Sequence, residues 1–146
     1  QTMFAEFELA AHEAVENGEV LTAEWLCEKY SELNRLYFGD QVVCDEQIAY
    51  EWARIPHFYR AFYVYKYATG YSAATAISDR IIRGAADGSE TNAARDDYKK
   101  FLTTGESDDP IQLLRIAGVD MESPQPILDA MNVFRTLVDE LDAMTR

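Results

Sequence analysis

Apolar residues recur three and four positions apart through almost the whole chain, a period that commits it to helices packed on helices. Met3, Phe4, Phe7, Ala11, Ala14 and Val15 carry the pattern in the first segment, which Asn17-Gly18 closes. Thr22 is placed to cap a second helix bearing Trp25, Leu26, Lys29, Leu33 and Leu36, and Gly39-Asp40 stops it. Asp45 is placed to cap a short helix through Ile48 and Trp52. Pro56 punctuates the chain, and residues 57–83 read as one long helix, apolar on most sides and central to its domain. Within it, Gly70 weakens an unbroken rod or else admits another backbone at close range. Residues 84–91 are small and polar, hence a loop, and residues 96–102 form the next helix. Asp109-Pro110 opens another, which Gly118 ends. Ser123-Pro124 starts the last, striped with Ile127, Met131, Phe134, Leu137, Val138 and Leu141. The expected fold class is all-α, with a central aromatic-rich helix and residues 1–146 forming a single helical domain.

Charge narrows the class of partner. The chain of 146 residues has a net charge of −13, which argues against nucleic acid or an anionic membrane as partner. No apolar run approaches the length of a membrane span. Residues 2–13 are amphipathic and carry acids, unlike a signal peptide. Cys27 and Cys44 have no metal-type spacing and fit free thiols in a reducing compartment, so a cytoplasmic location is expected. The charge is uneven. Residues 1–37 hold eight acids and two bases, whereas residues 56–86 hold Asp79 against Arg60, Lys66, Arg80 and Arg83. A buried segment that simply lacks acids would look like this, and so would one that attracts a negative group such as a peptide carboxylate.

Six of the nine tyrosines lie between Tyr50 and Tyr71, with His57 at the head of the cluster. A core uses rings, but it does not need so many hydroxyls, each of which wants a partner when buried. The cluster therefore suggests a lined, polar-tipped cleft that grips a ligand by hydrogen bonds. If a helix begins at His57, then Ala61, Val64, Tyr65, Ala68 and Ser72 share its side, so His57 and Tyr65 form a pair separated by small residues. Tyr59 and Tyr63 then lie on a second side, and Tyr67 and Tyr71 on a third, which would make Tyr67 a silent control.

No complete catalytic apparatus is legible. His12-Glu13-Ala14-Val15-Glu16 approaches the helical zinc motif HExxH but ends in Glu16, where a second imidazole is required. A solvated polar helix face explains it. There is no nucleophile elbow, glycine-rich phosphate loop or CxxC.

The run Ile55-Pro56-His57-Phe58-Tyr59, with Phe62-Tyr63-Val64-Tyr65-Lys66-Tyr67-Ala68-Thr69-Gly70, resembles the C-terminal part of the oligoendopeptidase F enzymes. These belong to the thimet-oligopeptidase-like family of zinc metallopeptidases. Gln1-Thr2-Met3-Phe4-Ala5-Glu6-Phe7-Glu8, Ala49-Tyr50-Glu51-Trp52-Ala53-Arg54 and Gly118-Val119-Asp120-Met121 resemble it in the same order, so the similarity covers essentially the whole chain. Glu106 stands where the family often carries glycine, and Asp109 where tyrosine is expected.

The resemblance implies a helical, two-lobed enzyme that encloses a channel and cleaves short peptides with one zinc. It places the zinc ligands and general base upstream of Gln1, so this chain would be the C-terminal lobe of a larger metallopeptidase, would bind no zinc alone and would be inactive alone. The chain also begins in mid-helix at Gln1, as a piece of a longer protein would. By the resemblance, His57 is the cleft histidine, Tyr65 the oxyanion-donating tyrosine, and Tyr59 and Tyr63 further donors to substrate. The implied partners are short peptides and the zinc-binding part of the same protein. The alternative reading of the residues is a non-catalytic helical module that binds a peptide in the tyrosine cleft.

Overall fold

A computed structural model describes residues 1–86 and 92–146. Among the described residues every regular element is a helix and none is a strand. The chain divides into two compact units, Gln1–Ala68 and Thr69–Arg146.

The first unit starts with α1 (Thr2–Glu16), which ends at Asn17 with Gly18 in the left-handed region at φ +85°. Thr22 then caps α2 (Ala23–Phe38), its hydroxyl accepting from the Trp25 N–H at 3.2 Å. Gly39, at φ +67°, closes α2. Asp45 accepts from the Ile48 N–H at 2.9 Å and caps a 3-10 helix over Glu46–Arg54, followed by a second 3-10 turn over Pro56–Tyr59. These elements bury Met3, Phe7, Tyr30, Leu33 and Ile55, with Phe4, Leu26, Trp52 and Phe58 packed against them. The Tyr30 ring meets Phe7 edge-on at 5.2 Å, and its hydroxyl donates to Glu51 at 2.8 Å.

The long helix expected over residues 57–83 is broken. The 3-10 turn ends at Tyr59, the backbone is extended at Arg60, and Phe62 sits at φ +55° before α3 (Tyr65–Ala86) begins. α3 contributes Tyr65–Ala68 to the first unit and its remainder to the second. No atom lies close to the face of Gly70, so it admits no neighbouring backbone among the described residues. The helix also runs through Gly84 to Ala86, where a loop was expected; residues 87–91 of that loop lie outside the described residues. Here the absent Cβ has a clear use, because one built on Gly84 would meet Asn92 Oδ1 at 2.9 Å. Asn92 fills that space, donates to the Ile81 carbonyl at 2.8 Å and caps α4 (Ala93–Leu102) by accepting from Arg95.

Asp109 caps α5 (Pro110–Ile116), with Pro110 at its first position as expected. The second unit's core is Ala73, Ile77, Ala117 and Val119, flanked by Ile81, Tyr98, Phe101 and Leu114. α6 (Gln125–Thr145) buries Pro126 and Ala130, whereas Ile127, Met131, Phe134, Leu137, Val138 and Leu141 of its apolar stripe are exposed in this chain.

Gly118 turns the chain out of α5 at φ +76°, and Arg80 donates to the Ala117 carbonyl beside it. A Cβ on Gly118 would meet the guanidinium of Arg80. Gly118→Ala therefore strains the backbone and displaces the flexible end of Arg80, and is expected to destabilise the chain by about 1 kcal/mol, chiefly through the strain. Urea unfolding measures this, and an unchanged midpoint would contradict it.

Candidate functional site

Pro56 holds Ile55 in an extended conformation, at φ −85° and ψ 109°, and starts the 3-10 turn. Two residues anchor that turn in the core. Ile55 is buried, and the Phe58 ring packs on Phe4 at 5.6 Å and Phe7 at 5.1 Å. His57 lies between these anchors and is left half-buried. Beyond Phe62 the fully buried Val64 makes a third anchor, with Tyr63, Tyr65 and Tyr67 around it.

Three rings gather here. His57 lies 5.6 Å from the Tyr63 ring and 5.7 Å from the Tyr67 ring, and the two tyrosine rings are 6.0 Å apart, edge to face. His57 Nε2 is 3.2 Å from the Tyr67 hydroxyl oxygen. Hydrogen bonding with the Tyr63 hydroxyl pushes the Tyr67 phenol above its ordinary value, with burial and the charge of Tyr63 adding to the effect. At neutral pH a phenol keeps its proton and can donate. Lys66 Nζ sits 5.6 Å from the centre of the Tyr63 ring and keeps positive charge beside the cluster.

Among the described residues His57 Nδ1 is buried without a hydrogen-bond partner. An orphaned buried N–H is rarer and more costly than an orphaned lone pair, so the imidazole proton belongs on Nε2. Donation then runs from His57 Nε2 to the Tyr67 oxygen, which leaves the Tyr67 hydroxyl hydrogen to donate to Tyr63 or, when one is bound, to a ligand. A largely apolar groove of about 450 Å³, lined in part by Phe7, His12, Val15, Leu26 and Trp52, shares Tyr59 with this aromatic segment.

The structure brings His57 to Tyr67 and Tyr63, and it removes the single-helix geometry that set His57 beside Tyr65 and Tyr67 on a different side. Tyr65 is the first residue of α3 and is half-exposed. Tyr59 is largely exposed, and its hydroxyl donates to the Ala53 carbonyl at 2.8 Å. Two further participants come from α1. The buried Glu8 accepts from the Phe62 N–H at 2.8 Å, and the His12 ring stacks on the Phe62 ring at 4.4 Å. Helix periodicity had left His12 on a solvated face.

Comparison with known proteins fits this architecture. The model of Peptidase family M3 matches residues 1–133. Oligopeptidase PepF of Bacillus subtilis (strain 168) is 49% identical over 144 residues, which are 99% of this chain and 21% of that protein. The plasmid oligoendopeptidase F of Lactococcus lactis subsp. cremoris is 42% identical over 144 residues, 99% of this chain and 23% of that protein. The crystal structure of oligoendopeptidase-F from Enterococcus faecium superimposes with a TM-score of 0.88 at 40% identity, covering 99% of this chain and 26% of that one. The chain thus spans only 21–26% of the length of these relatives. A family match over most of the sequence and a close structural match over nearly all of it agree with the all-helical fold, and on these grounds the chain belongs to Peptidase family M3.

Proposed function

We propose that this chain is the C-terminal part of a zinc metallo-oligopeptidase that hydrolyses short peptides, and that it supplies a peptide-binding and oxyanion-stabilising wall of the cleft. The cluster of His57, Tyr67 and Tyr63, with His57 Nε2 3.2 Å from the Tyr67 hydroxyl oxygen, carries this reading. Peptide hydrolysis builds negative charge on the carbonyl oxygen, and a preorganised neutral phenol can donate to it without reorganising. The apolar groove along α1 suits a substrate side chain, and the hydroxyls beyond it suit the peptide backbone. Tyr67, with Tyr63, is the donor favoured by the geometry. The resemblance favours Tyr65, which stands two residues away at the exposed head of α3. Tyr59 already donates to Ala53, so it can donate to substrate only by releasing that carbonyl.

The zinc that the family implies does not fit the residues present here. Among the described residues no three His, Cys, Asp or Glu side chains gather closely enough to hold a metal ion. His12 faces Phe62, and His57 Nε2 faces Tyr67. The ligands would come from the rest of the polypeptide, consistent with relatives four to five times as long as this chain. No helix among the described residues is long and apolar enough to cross a membrane. We place the activity in the cytoplasm on the two free thiols, Cys27 and Cys44.

The purified chain, dialysed against zinc, is expected to retain no stoichiometric metal and to leave an internally quenched peptide uncut. The complete polypeptide should hold zinc and cut the peptide. One tightly held zinc per isolated chain, or metal-dependent turnover by it, would overturn the division of labour. A complete polypeptide that binds the peptide and never cleaves it would instead make this a binding module.

A further inference from the structure

We infer that Glu8 and His12 of α1 are positioning residues for the tyrosine site, acting through the strained turn at Phe62. This inference rests on the reading of the site given above. Phe62 has φ +55°, a conformation that a bulky side chain avoids and that persists only where its surroundings impose it. Two contacts impose it, one on each half of the residue. Glu8 accepts from the Phe62 N–H at 2.8 Å and so fixes the backbone. His12 stacks on the ring at 4.4 Å, with the planes 29° apart, and so fixes the side chain. The two residues are one helical turn apart and share a face of α1. Their hold reaches 54 positions along the sequence.

Glu8 has only 6% of its surface exposed, and a carboxylate buried that deeply needs a donor. It finds one in Phe62, the left-handed residue within the break between the 3-10 turn and α3. The break is what places His57 against Tyr67. Tyr63 follows Phe62 directly, and its N–H bonds back to the Arg60 carbonyl at 3.3 Å. If Phe62 relaxed to the right-handed region, Tyr63 and the start of α3 would be re-aimed relative to His57. The clamp therefore sets where the hydroxyls stand and takes no part in the chemistry.

The test is steady-state kinetics of the complete peptidase polypeptide on a short quenched peptide, with bound zinc and thermal midpoint measured for each variant. Glu8→Ala is expected to lower kcat about 100-fold with little change in KM, the scale of a misplacement near one ångström. Glu8→Gln keeps an acceptor oxygen at the same reach and should restore most of the loss. In a Tyr67→Phe background the further loss from Glu8→Ala should nearly vanish, because both changes disable one unit. Wild-type kcat in Glu8→Ala, or an equal loss in both backgrounds, overturns the inference. If Glu8→Ala does not accumulate as folded protein, His12→Ala removes only the stack and carries the same comparison. Its kcat should fall in the wild-type background and not in Tyr67→Phe, and any other pattern overturns the inference. If Tyr67→Phe itself keeps wild-type kcat, the functional reading falls and this inference falls with it.

Discussion

In the complete peptidase, Tyr67→Phe lowers kcat about 100- to 1,000-fold and leaves KM nearly unchanged, a loss of about 2.7–4 kcal/mol of transition-state stabilisation. The substitution keeps the ring, so the contacts with His57 and Tyr63 survive as packing. Only the hydroxyl is lost, and with it the contact with His57 Nε2. A donor used mainly on the developing oxyanion stabilises the ground state little, which is why the loss falls on kcat. His57→Ala should also lower kcat, with a larger rise in KM if the imidazole holds the peptide backbone as well. The double variant His57→Ala/Tyr67→Phe should be little worse than the poorer single one, because the groups act in series. Tyr65→Phe separates the two candidate donors. A collapse of kcat in Tyr65→Phe with full activity in Tyr67→Phe would transfer the role to Tyr65.

The second large effect is on stability. Tyr30→Ala should cost about 4 kcal/mol, a large fraction of the stability of a small domain. The Tyr30 ring is fully buried and sits against both Phe4 and Phe7, so truncation leaves a cavity at the junction of α1 and α2. Tyr30→Phe keeps the ring and loses one hydrogen bond, to a Glu51 carboxylate that retains its ion pair with Arg54. Its cost should be only about 1–2 kcal/mol. Urea unfolding followed by Trp52 fluorescence measures both, since Trp52 packs on this cluster. If the two variants were equally damaging, the hydroxyl and not the ring would hold the unit together. Burial, and then the Glu51 carboxylate, push the Tyr30 phenol well above its ordinary value. Folding therefore favours the neutral form. The contribution is intact below the ordinary phenol pKa of about 10 and is lost as the pH rises above it.

What the sequence makes legible here is its local chemistry. Thr22, Asp45 and Asp109-Pro110 cap helices where their side chains predict, and Gly39 and Gly118 end them, because each device works within a few residues. The break at Phe62 has no such signal. A left-handed phenylalanine is imposed by Glu8 and His12 from a distant helix, and no residue near position 62 announces it. Tyr67 was consequently placed on the wrong side of a helix that does not exist in that form. Gly70 drew attention as a backbone contact and faces open space, whereas the glycine with a packing reason in α3 is Gly84, which makes room for Asn92. The presence of a tyrosine-lined polar cluster was readable from composition. Which hydroxyl meets His57 was not, because that depends on the backbone of the break between Arg60 and Val64.

The most direct test of the central claim is the affinity of the complete peptidase for a tetrahedral phosphinic peptide, compared between wild type and Tyr67→Phe. A matched non-cleavable peptide with a planar amide serves as the ground-state reference. If the Tyr67 hydroxyl is built for the transition state, Tyr67→Phe weakens the phosphinic peptide by about the factor lost from kcat/KM and barely changes binding of the planar one. Equal affinity of both enzymes for the phosphinic peptide would contradict the account.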